Sequence, residues 1–182
     1  MNLDERDVPE KQLVSSAQSG DARSFELLFN RYYNMIHAFA YRVCLVETEA
    51  DDIAQETFIR AARGLQGFRG TASFKNWLHR IAHHVLTDSF RRNVRRDARQ
   101  SEIAAAAELE SQARPSDFAR VHEALSKLSP EWREAIALVY FDDLSHAEAA
   151  RVLGCAETTV SWRIFRARRA LRPILEAKKG AV

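Results

Sequence analysis

The 182-residue chain is short of the residues that staple or punctuate a fold, with two cysteines, six glycines, four prolines and two methionines. Cys44 and Cys155 lie far apart, so neither a disulfide framework nor a paired-thiolate metal motif can be read from them. Long apolar runs are missing as well. The most apolar stretch, residues 135–141, is far shorter than the roughly 20 residues a membrane-spanning helix requires, so no membrane insertion is expected. The first residues are acidic and lack an apolar core, which reads as neither a secretory signal nor a transit peptide, and a reducing cytoplasm is expected. Walker-type phosphate loops, Gly-x-Ser-x-Gly turns and reactive cysteine contexts are all absent from the sequence, so no catalytic residue, no enzyme and no cofactor are assigned. An excess of one charge is missing too: 27 Lys and Arg face 25 Asp and Glu. With 46% hydrophobic and 29% charged residues, the composition is that of a folded globular protein.

The even balance hides a pattern. Net charge is −5 over residues 1–60, +7 over 61–100, −6 over 101–150 and +6 over 151–182. An acidic-then-basic order that occurs twice suggests two modules, each able to turn a positive surface toward a polyanion.

Almost everything else is helical periodicity, so the expected fold is all-α: two small helical domains, an N-terminal bundle and a C-terminal helix-turn-helix, joined by a linker. A lead-in at 1–20 holds a short helix stopped by Gly20. From Asp21, a plausible N-cap, Phe25, Leu28, Phe29, Tyr32, Ile36, Phe39, Ala40 and Val43 recur by threes and fours. Thr48 can cap the next helix, with Ile53, Ala54, Thr57, Phe58 and Ala61 inward and Asp52 and Glu56 outward. Residues 64–72 hold three of the six glycines and form a loop. Ser73 then caps a helix with Phe74, Trp77, Leu78, Ile81, Ala82 and Val85 on one face and a basic stripe behind, completing a domain over 21–96. Residues 97–117, rich in Ala, Glu, Ser and Gln, read as the linker. The second domain, 118–176, opens with Phe118, Val121, Leu125 and Leu128, then restarts at Ser129-Pro130-Glu131, with a tail at 177–182.

The most specific pattern is a capping-box pair, Ser145 and Glu148, a short helix to Leu153, the turn Gly154-Cys155-Ala156 and a basic helix from Glu157. This is a helix-turn-helix, whose second helix fits a major groove. Arg163, Arg166, Arg168, Arg169 and Arg172 supply phosphate and base-edge contacts, with Thr158, Thr159 and Ser161 as short polar donors. The loop before Ser73, with Phe68 and a basic helix after it, suits unstacked bases, although Phe74 and Trp77 fit a buried stripe better. Asp52 and Glu56 repel on one helical face, which asks for a basic partner, while Arg60 compensates in part. His79 and His83 have a ligand-like spacing, but no third ligand stands at a diagnostic distance in sequence, and no metal site is assigned.

These residues carry a resemblance. Glu49-Ala50-Asp51-Asp52-Ile53-Ala54-Gln55-Glu56-Thr57-Phe58, the run Trp77-Leu78 with Arg80-Ile81-Ala82, and the basic end around Asp88, Arg91 and Arg92 are similar to the first domain of bacterial sigma factors of the extracytoplasmic-function group. Leu128-Ser129-Pro130 through Thr159-Val160-Ser161-Trp162-Arg163-Ile164-Phe165-Arg166-Ala167-Arg168 resembles their promoter-reading C-terminal domain. The resemblance implies a dissociable subunit that brings core RNA polymerase to promoter DNA and helps open it. It implies that Asp52, Gln55 and Glu56 bind the polymerase. Phe68, Arg69, Arg80, His83, His84, Arg91, Arg92 and Arg95 would hold the single strand of the −10 element. Thr158, Thr159, Ser161, Trp162, Arg163, Phe165 and Arg166 would read the −35 duplex. An anti-sigma factor is a further implied partner. His84 stands where the family often has Asn, and Trp162 where a small or basic residue is common. A competing expectation is a stand-alone helix-turn-helix regulator whose N-terminal helices sense a ligand or dimerise.

Overall fold

A computed structural model describes the backbone of residues 8–100 and 117–176, and the side chains of 8–93 and 121–173. Most of the expected linker, the tail and the Arg95 side chain therefore lie outside the described residues. Eight α-helices account for nearly all of the rest, and no strand occurs among the described residues.

The first module holds α1 (Glu10–Gln18), α2 (Ala22–Cys44), α3 (Glu47–Gly64) and α4 (Phe74–Gln100). Gly20 ends α1 at φ +98°, a conformation that a Cβ would strain. Asp21 caps α2 as expected, accepting from the backbone N–H groups of Arg23 (3.1 Å) and Ser24 (3.2 Å). These bonds and one from the Ser24 hydroxyl hold the Asp21 carboxyl below its ordinary range. α3 corrects the expected boundary: Val46 precedes its first residue without a side-chain cap, and Thr48 lies inside the helix. Glu47 and Glu49 in the first turn meet the positive end of the helix dipole instead. Ser73 caps α4 through Oγ, 3.1 Å from the Asn76 N–H, and the helix runs four residues beyond the expected end at 96. Leu28, Ile36, Phe39, Val43, Phe58, Phe74, Leu78, Val85 and Leu86 form the core, with Phe29 edge-on to Phe58 at 4.8 Å.

The second module holds α5 (Asp117–Ser126), α6 (Pro130–Ile136), a π-turn (Ala137–Phe141), α7 (His146–Leu153) and α8 (Glu157–Glu176). The Ser145–Glu148 capping box is complete, and Gly154 adopts φ +62° to reverse the chain into α8. Leu138, Val152, Val160, Ile164 and Ala167 are buried.

The two modules are packed together, α4 against α7 and α2 against α6, and buried apolar residues of both form one continuous cluster. Polar groups cross the same seam. Asn76 Nδ2 donates to Glu148 Oε1 (3.1 Å), Lys75 Nζ donates to the Asp142 carbonyl, His83 Nδ1 lies 2.9 Å from Glu134 Oε1, and His122 Nε2 lies 3.2 Å from the Leu45 carbonyl.

Candidate functional site

Three surfaces carry the residues singled out from the sequence. The first is the outer face of α3, where Asp52 and Gln55 are exposed and Glu56 is half-buried. Helical spacing places 52, 56 and 59 on one face, and Ile59 there is 46% exposed. Sequence reasoning missed Ile59; an apolar residue three and seven places after two outward acids was the available signal. Arg60 Nε bonds Glu56 Oε1 at 2.7 Å and its Nη1 reaches Asp88 Oδ2 at 3.0 Å. Arg60 thus relieves the acid repulsion from the side, and the two carboxylates hold its guanidinium further toward the charged form. A groove between α3 and α4 joins this face to Arg92 and Asn93.

The second surface is the loop before α4 and the basic side of α4. Gln18 Nε2 donates to the carbonyls of Leu65 (2.9 Å) and Phe68 (2.8 Å), so α1 fixes the start of the loop. Phe68 is half-buried, 5.0 Å from the Trp77 ring and 5.7 Å from Phe74. Phe74 is fully buried, as the inward stripe required. Arg69, Gly70, Thr71 and Ala72 are exposed, and Arg80, His84 and Arg91 follow along α4, also exposed. Burial first, then the neighbouring His83 and Arg80, lowers the His84 pKa. His83 is turned the other way, onto Glu134 of α6. The loop, Arg80, Glu148, Arg151 and Val152 line one cleft of about 540 Å³ between the modules.

His79 lies at the bottom of the seam, fully buried, with its ring edge-on to Phe39 at 4.9 Å. Its Nε2 stands 3.5 Å from Asp142 Oδ2, and neither ring nitrogen has a hydrogen-bond partner among the described residues. Burial, helped by Lys75, pushes the imidazole down to about 3 and keeps it neutral. Burial pushes the Asp142 carboxyl up to about 6, outweighing the pull of Arg42 and Lys75. Among the described residues no group of three His, Cys, Asp or Glu side chains could hold a metal ion.

The third surface is α8. Thr158, Ser161, Trp162, Phe165 and Arg166 are exposed, and Thr159 and Arg163 are half-buried. Ser161 Oγ is engaged by His146 Nδ1 of α7 at 2.9 Å, which ties the two helices of the motif together. Trp162 and Phe165, 55% and 62% exposed, leave apolar surface where a soluble helix would carry polar residues. No described helix is long and apolar enough to cross a membrane.

Comparison with known proteins gives the family of the chain. The sigma-70 region 2 family matches residues 28–96, and the sigma-70 region 4 family matches residues 118–171. The chain is 35% identical to the RNA polymerase sigma-H factor of Pseudomonas aeruginosa, over 91% of this chain and 95% of that protein. It is 30% identical to the extracytoplasmic-function (ECF) RNA polymerase sigma-E factor of Haemophilus influenzae, over 88% of this chain and 92% of that protein. Its fold is similar to that of the sigma factor RpoE from Bartonella quintana, solved with the anti-sigma factor NepR, with a TM-score of 0.73 and 26% identity over 85% of this chain and 98% of that one.

Proposed function

The chain belongs to the sigma-70 family of RNA polymerase sigma factors, in its extracytoplasmic-function group, and from that premise we propose how its three surfaces divide the work of initiation. As a sigma factor it directs core RNA polymerase to specific promoters and aids their melting. The stand-alone regulator is not favoured, because it leaves the region 2 match over 28–96 without a role.

Asp52, Gln55 and Glu56, with the exposed Ile59 beside them, form the face that docks on the polymerase. What supports this is an acidic helix face with an exposed apolar residue in its midst, a surface that gains from a basic and partly apolar partner. Arg69, Arg80, His84, Arg91, Arg92 and Arg95 track the phosphates of the separated −10 strand while the loop at 65–73 receives unstacked bases. Binding to exposed bases, about 1 to 3 kcal/mol for each that stacks, offsets the cost of unstacking and traps the open duplex. The helix-turn-helix lays α8 in the major groove of the −35 element, where Thr158, Thr159, Arg163, Phe165 and Arg166 meet phosphates and base edges. Bond chemistry belongs to the polymerase, and the chain acts in the cytoplasm where that enzyme works.

The packed arrangement is the resting form. His83, one of the strand-binding candidates, is bonded to Glu134, and Arg80 shares its cleft with α7, so the part of this surface nearest the seam is completed only once the modules separate. Core polymerase selects the separated form to the extent that it also contacts surfaces the seam covers, since the α3 face is open in both forms. An anti-sigma factor that favours the packed form holds the chain inactive. The single observation that carries the reading is the pairing of region 2 and region 4 matches on one chain in that order. Run-off transcription with purified core enzyme tests it: promoter-dependent transcripts are expected only when this chain is added, and no co-elution with core would refute it.

A further inference from the structure

The recognition helix carries an arrangement that the family assignment does not require. The Arg166 guanidinium carbon lies 5.4 Å from the centre of the Trp132 ring and 5.7 Å from that of Trp162. The two indoles stand nearly perpendicular to each other, at 83° and 6.3 Å. Trp162 and Arg166 are four residues apart on α8, one helical turn, so they stack along the same face. Trp132 comes from α6 and is half-buried against the cluster of Leu125, Leu128, Ile136 and Ala167, which anchors it to the body of the module. One half-buried aromatic from α6 thus meets one exposed aromatic and one long cation of α8.

Arginine can stack through its face and donate through its edges at the same time, because the π contact and the N–H fork use different parts of the planar group. Arg166 is exposed, and among the described residues its N–H groups find no protein acceptor. The indoles stand at 83°, so at most one of them lies parallel to the guanidinium; its N–H groups, bound to no described acceptor, suit a bidentate contact to the O6 and N7 acceptors of guanine in the major groove. A free arginine loses much of its rotamer freedom on making that contact. Here part of the ordering takes place within the protein before DNA arrives.

Resting on the reading of α8 as the −35 helix, we infer that Trp132 is a positioning residue for −35 specificity: with Trp162 it forms a corner of two indoles that holds Arg166 and sets it to read one guanine. Trp132 itself touches no DNA. Its effect is therefore confined to the base pair that Arg166 reads, and the other positions of the element do not depend on it.

Holoenzyme reconstituted from core polymerase and the full chain first selects its preferred −35 duplex from a randomised pool. Affinities are then measured for every single base-pair change, with the original chain, Arg166→Ala, Trp132→Leu, Trp132→Phe and the Trp132→Leu/Arg166→Ala double variant. Arg166→Ala is expected to lose discrimination at one G·C pair. Trp132→Leu is expected to lose about three- to tenfold of discrimination at that same pair, Trp132→Phe less, and the double variant no more than Arg166→Ala alone. Thermal melting of each chain separates lost packing from lost reading, since a purely structural Trp132 lowers the melting temperature without changing base preference. Uniform weakening on all duplexes, or additive effects in the double variant, overturns the inference and leaves the sigma-factor reading standing. A holoenzyme that selects no −35 sequence overturns both.

Discussion

Replacing Asp142 by asparagine is expected to change how the packed form responds to pH, and the structure fixes the size and sign of the change. Burial raises the Asp142 carboxyl from 3.8 to about 6, so it is held neutral more readily in the packed form than in the separated or unfolded chain. Below pH 4 it is protonated in every form and costs nothing. As pH rises from about 4 to 6, keeping it buried costs progressively more, reaching about 3 kcal/mol and staying there above pH 6. His79 acts in the opposite sense. Its pKa falls from 6.5 to about 3, so its neutral form is free of cost above pH 6.5, and stability is lost as pH falls from there toward 3. Between pH 4 and 6 the slopes cancel, because packing merely passes one proton from His79 to Asp142. Asp142→Asn removes one partner and leaves His79 alone. The variant should therefore gain stability with rising pH by about 1.4 kcal/mol per pH unit relative to the original chain, to a plateau of about 3 kcal/mol above pH 6. Lys75, Arg42, Asp143 and the His83–Glu134 pair are common to both proteins and drop out of the difference. Urea unfolding of the full chain, followed by the fluorescence of its three tryptophans from pH 4 to 7.5, measures it. Parallel stability profiles for the two proteins would refute the reasoning.

Reversing the α3 face with Asp52→Arg and Glu56→Arg should abolish co-elution with core polymerase while the melting temperature of the full chain stays within a few degrees, since Asp52 is exposed and Glu56 half-buried; retained core affinity would refute the assignment of that face. Ile59→Asp should weaken core binding about tenfold or more in a pull-down titration without lowering stability, because the side chain is 46% exposed and a charge there stays hydrated. Gly154→Ala meets open space but needs φ +62°, so it should destabilise the full chain by about 1 kcal/mol in thermal melts, through backbone strain alone.

The helix-turn-helix was legible because its signals are local: Ser145 and Glu148 are three apart, and Gly154 sits where the chain reverses. The cap of α2 at Asp21 was legible for the same reason. Thr48 misled because a good capping residue near a helix start competes with an acidic first turn, and here Glu47 and Glu49 extend the helix past it. The charge blocks showed two modules but not that they pack together. That seam joins residues such as Lys75 and Asp142, 67 positions apart, and contacts at such separation leave no periodic trace. Trp132 was likewise hidden within an ordinary amphipathic helix. Its role depends on where α6 places it relative to α8, which only the packing of the module reveals.

The chemistry of the seam decides what kind of state the packed form is. Within each module the core is carbon on carbon, with polar bonds such as Gln18 to the Leu65 carbonyl and Arg60 to Asp88 at its margins, and opening it would expose apolar surface with nothing to replace it. Across the seam, apolar contact is interleaved with bonds from Asn76, Lys75, His83 and His122 to carboxylates and carbonyls of the other side. Water replaces such bonds on separation, so each resists opening by only about 0.5 to 1.5 kcal/mol, somewhat more where a charge takes part. Polymerase opens such a seam only by as much as it binds the separated form more tightly than the packed one, each 1.4 kcal/mol of that difference being about tenfold. An apolar seam of the same extent would hold the chain shut, and a wholly polar one would not hold it closed.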